Sequence, residues 1–202
     1  MTKPKFKNRK PKYGIGINDA DYSTSKCRYY KKWNALIFRC YSEKTKQSYR
    51  EVTVCDKWLL FSNFRAWCIK QEKEVGDISK LELDKDLLGN GAKTYSPSTC
   101  CFLPRKVNNF LENTSRGTGL MGARKQEKVK GTKYEVEIRN PINNTRKQIG
   151  TYLTERRAHQ SYILGKTEIA QQIAYHTDLI PQQHVKDALI TFYPNLRSSI
   201  IH

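Results

Sequence analysis

Apolar residues recur along this chain with two periods, and the change from one to the other divides it. Trp33, Leu36, Ile37 and Cys40 follow the i, i+3, i+4, i+7 spacing of a single helical face. A polar gap from Ser42 to Arg50 follows. Then Trp58, Leu59, Phe61, Phe64, Trp67 and Cys68 recur at helical spacing, with Ser62 and Asn63 as candidate caps. These aromatics read as core rather than as platforms for stacking bases. The preceding GIGINDADY, Gly14 to Tyr22, is a loop by its Gly, Asn and Asp content. Leu81 to Leu83 predicts a short strand, and Gly89–Asn90–Gly91 and Tyr95–Ser96–Pro97 predict turns. Thr99 to Leu103 is β-rich, and Lys106 to Leu111 suits a helix with Pro104 near its start. Strand, loop, strand and helix in this order outline a ββα unit.

Residues 112–119 (ENTSRGTG) read as a linker, and beyond them the period falls to two. Tyr134, Val136 and Ile138 alternate with Glu135, Glu137 and Arg139, which predicts a half-buried strand. Asn140 to Asn144 is a hairpin turn, and Arg146 to Tyr152 is the return strand. Thr154 is placed to cap a helix whose Ala158, Tyr162, Ile169 and Ile173 share one side. Residues 176–202 hold two prolines and a weak helical pattern near Val185 to Leu189, and take no assigned role. The expected fold class is α+β, in small modules.

Charge changes the picture more than composition does. The 202 residues carry 37 Lys and Arg against 19 Asp and Glu, a formal net charge of +18. Such an excess repels itself, and an anionic polymer is its commonest counterpart. Membrane surfaces and RNA satisfy the same argument. Lys3, Lys5, Lys7, Arg9, Lys10 and Lys12 make residues 1–12 a disordered basic arm, either a solubilising tail or a source of phosphate contacts. No stretch reaches the roughly 20 apolar residues of a membrane helix, and the N-terminus lacks the apolar core of a signal peptide, so a cytoplasmic protein is expected. The six cysteines form no C-x-x-C pair and no His precedes His159, which removes zinc-finger spacing. Reduced, partly buried thiols are the plainer reading; a Cys40–Cys55–Cys100 cluster is the alternative if the fold gathers them.

The segment LDKDLLGNGAKTYSPSTCCFLPRKVNNFL, Leu83 to Leu111, resembles the phage HNH endonucleases, including homing-type members. The pieces GIGINDADY, RCYSEK and VCDKWLLFSNFRAW look like a subgroup of the same family, so the resemblance covers residues 13–111. It implies an HNH endonuclease-like ββα-metal module. By position, Asp84 falls on the metal-binding Asp, Asn108 on the metal ligand of the helix, and Thr99 on the structural Asn. The cation implied is Mg²⁺ or Mn²⁺, held by oxygen ligands and the scissile phosphate. The family's histidine base is replaced by Lys85, which flanking Asp84 and Asp86 should keep protonated and suited to neutralising phosphate. Asp86, or a water on the metal, is left to supply the base.

Residues 120–175, through GLMGARKQEKVKGTKYEVEIR and KQIGTYLTERRAHQSYI, resemble the small domain of the plant ethylene-response (APETALA-like) transcription factors. That implies a three-stranded antiparallel sheet on one helix, with the sheet in the major groove. Expected DNA contacts are Arg105, Lys106, Arg124, Lys128, Lys130, Lys133, Arg139 and Arg146, with Glu135 and Glu137 counting against that face. Together the resemblances imply a phage endonuclease acting on double-stranded DNA in the bacterial host cytoplasm. The alternative is a DNA-binding protein that keeps an HNH scaffold without catalysis, with a host protein partner left open.

Overall fold

A computed structural model describes residues 9–112, 120–129, 131–175 and 178–200, without the side chains of Lys128 and of residues 194–200. Outside that description lie the basic arm through residue 8, most of the expected linker, Lys130 and the side chain of Lys128. The chain is α+β and divides into two units, 1–102 and 103–202. The division falls ten residues ahead of the expected linker.

In the first unit, α1 (Arg28–Tyr41) buries the four residues that its period singled out, Trp33, Leu36, Ile37 and Cys40. The second apolar run forms α2 (Asp56–Leu59) and α3 (Phe61–Val75), parted at Leu60, whose backbone is extended. Trp33, Trp58, Phe61 and Phe64 are all fully buried, so the aromatics are core. Burial stabilises by roughly 1.5–3 kcal/mol for each such large side chain removed from water. The Trp33 indole N–H donates to the Trp58 carbonyl at 2.7 Å, which leaves no polar orphan in that core. Ser62 does not cap α3. Its N–H and hydroxyl instead donate to the Asp19 carboxylate, which reaches across from the Gly-rich loop. Arg9 donates to the Tyr22 carbonyl at 2.7 Å, so the basic arm is already tethered at that residue.

β1 (Thr53–Val54) pairs in parallel with β3 (Thr94–Tyr95), a pairing that local sequence did not announce. Between them lie β2 (Leu81–Asp84) and α4 (Asp86–Gly89), which ends at Asn90 in the left-handed region (φ 43°), a conformation Asn tolerates. β4 (Cys101–Pro104) then leads into α5 (Arg105–Leu111). The order strand, strand, helix is therefore present, with α4 and β3 interposed.

The second unit contains α5 and a three-stranded antiparallel sheet, β5 (Arg124–Lys128), β6 (Gly131–Arg139) and β7 (Arg146–Tyr152) in that spatial order. Val136 and Ile138 are buried beneath α6 (Glu155–Tyr175), whose N-terminus is capped by Thr154 Oγ accepting from the Arg157 N–H at 3.3 Å. Gly165 lets β6 approach α6 closely: a Cβ there would sit 2.7 Å from Ile138 Cδ1. The residues expected as a tail instead form α7 (Gln183–Ile200), which packs on α6 and buries Val185, Leu189 and Tyr193. The sheet packs on one helix, α6, as expected, and α7 pairs with that helix. Its apolar positions show why: Ile163, Ala170 and Ala174 are buried as well as Ala158, Ile169 and Ile173, so α6 is covered on two sides.

Candidate functional site

The expected metal site begins at the end of β2. Asp84 Oδ1 accepts from the N–H of Leu87 at 2.8 Å and of Asp86 at 3.1 Å, so this carboxylate caps α4. Burial pushes its carboxyl above the usual carboxylate range, against the pull of those two N–H donors. Lys85 is only 7% exposed; its ammonium pairs with the Asp86 carboxylate and lies 5.9 Å from the Tyr95 ring. Its ammonium is thus paired within the chain, where the expectation from sequence was that it neutralises a phosphate. The side chain of Asp86 is exposed at that pair.

Thr99 bridges two backbone groups despite lacking an amide. Its hydroxyl donates to the Thr94 carbonyl at 2.7 Å and accepts from the Ser96 N–H at 3.0 Å, bracing the turn after β3. Asn108 lies half-buried in α5, within the second unit, whereas Asp84 belongs to the first. Among the described residues no group of three or more His, Cys, Asp or Glu is placed to hold a metal. The cysteines are free thiols. Burial pushes the thiol of Cys40 up to about 11 and that of Cys100 up to about 12.

The sheet of the second unit offers a different surface. With Val136 and Ile138 turned to α6, Glu135, Glu137 and Arg139 face outward as the alternation predicts. Arg124 stands opposite Glu135, Lys133 opposite Gln126, and Arg139 opposite Arg146. A bulge between Val136 and Glu137 resets the register toward the hairpin. Glu137 is neutralised by Arg146 at 3.2 Å, which removes much of its repulsion toward phosphate. Asn144 Oδ1 accepts from Arg139 Nε at 2.9 Å and from its terminal nitrogen at 2.5 Å, fixing that guanidinium beside the turn. Arg105 and Lys106 are exposed at the start of α5.

Comparison with protein-family models, with curated proteins and with solved structures finds no match.

Sequence reasoning missed how β5 is held. The Glu155 carboxylate accepts from the Leu120 N–H at 2.7 Å, and His159 Nδ1 donates to the Met121 carbonyl at 2.7 Å. Gly122 (φ 78°) lies so close to Tyr162 that a Cβ would fall 2.0 Å from the ring. Glu155, His159 and Tyr162 follow i, i+4, i+7 on α6, the signal that would have disclosed the clamp. It sets where β5 starts, and so where Arg124 is displayed.

Proposed function

We propose that this chain binds double-stranded DNA through the outer face of β5–β6–β7, as the resemblance to ethylene-response domains implies. The observation that carries the reading is Arg139 directly across from Arg146, both exposed, at the hairpin end of the sheet. Arg139 is held by the neutral Asn144 amide and keeps its charge, while Arg146 is paired with Glu137 at 3.2 Å; the spare N–H donors of the two guanidinium forks suit a phosphate. Arg124 and Lys133 extend the cationic array over the other end. Asn144 holds Arg139 in place before any ligand arrives, which lowers the entropy lost on binding.

The residues beside β2 support binding more than metal-dependent hydrolysis. Asp84 is a half-buried helix cap, and the lysine at the position of the family's base is paired with Asp86. Binding without cleavage is therefore the favoured reading. The order β2, β4, α5 keeps a metal-dependent nuclease as the second.

Fluorescence anisotropy with a labelled duplex across a salt series tests the first. Arg139→Ala with Arg146→Ala should weaken binding and flatten the log–log salt slope by about 0.9 for each phosphate that is no longer neutralised. Unchanged affinity and slope would overturn the proposal. Supercoiled plasmid should stay intact with Mg²⁺ or Mn²⁺; nicking that disappears with chelator and in Asp84→Ala would restore the nuclease reading.

A further inference from the structure

The first unit holds a cationic feature that the sheet does not account for. Residues 1–102 contain 21 Lys and Arg against 11 acids, and residues 103–202 contain 16 against 8, so neither unit owns the whole excess. On α1, Arg28, Lys31, Lys32 and Arg39 line one side of an open groove of about 430 Å³. Ser79, Glu82 and Leu83 form the other wall, with Ala35 and Leu36 completing the lining. Arg28, Lys32, Ala35 and Arg39 are spaced i, i+4, i+7, i+11, so they form one stripe about 16 Å long at 1.5 Å per residue. The buried face of the helix adjoins that stripe, with Leu36 at the border of the two.

Three of the four cations are held at the wall from behind. Arg28 is paired with Glu72 at 2.8 Å and lies 3.9 Å from the Asp77 carboxylate, Lys32 donates to the Leu81 carbonyl at 2.5 Å, and Arg39 donates to the Tyr95 hydroxyl at 3.0 Å. A guanidinium has five N–H donors in a fixed fork, so an anchoring bond on one side leaves it competent to grip a second anion. Lys31 is exposed. The cations run along three helical turns instead of converging on one point, which suits a linear polyanion over a compact anion. The lining between them includes exposed Ala35 and half-buried Leu83, an apolar surface for the sugars of a strand. It offers no deep pocket to anchor an apolar side chain of an acidic peptide. Single strands bind in positively charged grooves that track their backbone.

We propose that the groove between α1 and β2 binds the phosphodiester backbone of a single nucleic-acid strand, independently of the sheet.

The test uses the full chain, a labelled twelve-nucleotide oligothymidine, a duplex of equal length and a poly-glutamate peptide, by anisotropy across a salt series. Ala35→Glu places a carboxylate mid-groove, and Lys31→Glu reverses a rim charge. Each should weaken oligothymidine binding about five-fold or more at 0.1 M salt and lower the salt slope by about 0.7. Ala35→Lys should strengthen it. Far-UV circular dichroism shows whether the variants remain folded, and the substitution that tightens binding separates charge from damage. Arg139→Ala with Arg146→Ala should leave oligothymidine binding unchanged while duplex binding falls, so the two surfaces fail separately. Equal oligothymidine affinity in Ala35→Glu, Ala35→Lys and the unmodified protein would overturn the proposal. So would poly-glutamate displacing the strand with equal potency at equal charge.

Discussion

Lys166 carries a buried ammonium with no carboxylate beside it among the described residues, which makes its titration a direct measure of burial. It lies on α6, 5% exposed, with its Nζ donating to the Phe110 carbonyl at the end of α5. Tyr193 of α7 donates to the same carbonyl at 2.9 Å. The rings of Phe110, Tyr193 and Tyr162 surround the nitrogen at 3.8, 5.2 and 5.6 Å. Burial pushes its pKa down to about 7 from an ordinary value of 10.5. The carbonyl and the ring faces favour the ammonium and act against that shift. Between those two values the unfolded chain keeps a proton that the folded one sheds, so stability rises with pH. From pH 6.5 to 9 the gain is about 2–3 kcal/mol, equivalent to about 1–2 M in a urea midpoint at ordinary slopes. Lys166→Met removes the titration while filling the same space. The variant should be the more stable protein at pH 6.5, and its advantage should shrink by that amount at pH 9. Taking the difference between the two proteins cancels the cysteines and tyrosines, which titrate higher. Parallel stability curves from pH 6.5 to 9 would refute the reasoning, because the rings and carbonyl would then hold the ammonium charged throughout.

Two other substitutions probe the scaffold beneath the proposed interfaces. Gly165→Ala forces a Cβ to within 2.7 Å of Ile138 Cδ1 and should cost about 1–3 kcal/mol in chemical denaturation, although alanine ordinarily favours a helix. A neutral or stabilising result would mean that β6 does not lie so close to α6. Asp84→Asn keeps an oxygen to cap α4 and removes the buried charge, whereas Asp84→Ala loses the cap. Because the folded carboxyl pKa is raised, Asp84 stabilises at acid pH and loses that contribution as pH rises. At pH 7 the order of stability should be Asn above Ala, with Asn at least equal to the native residue. The edge of Asn over the native residue should vanish near pH 3, and an edge constant with pH would contradict the assignment.

Periodicity by itself determined the elements and their inward faces. Trp33, Leu36, Ile37 and Cys40 on α1, and Val136 and Ile138 on β6, are buried where alternation or helical spacing puts them, because burial of apolar surface acts on each position locally. The hairpin turn and the Thr154 cap were legible for the same reason: their chemistry is complete within a few residues. Tertiary structure decided the rest. Residues 183–200 carry too weak a local pattern to announce a helix, yet α6 has a second apolar side that only α7 covers. The β1–β3 pairing joins residues about forty apart, and nothing local records it. Asp84 and Lys85 have the residue types of a reactive site, and only the structure shows that one caps a helix and that the other is paired with Asp86. The groove along α1 was hidden for a related reason. Its cations are ordinary surface residues in the sequence, and they acquire a common direction only when β2 supplies the facing wall.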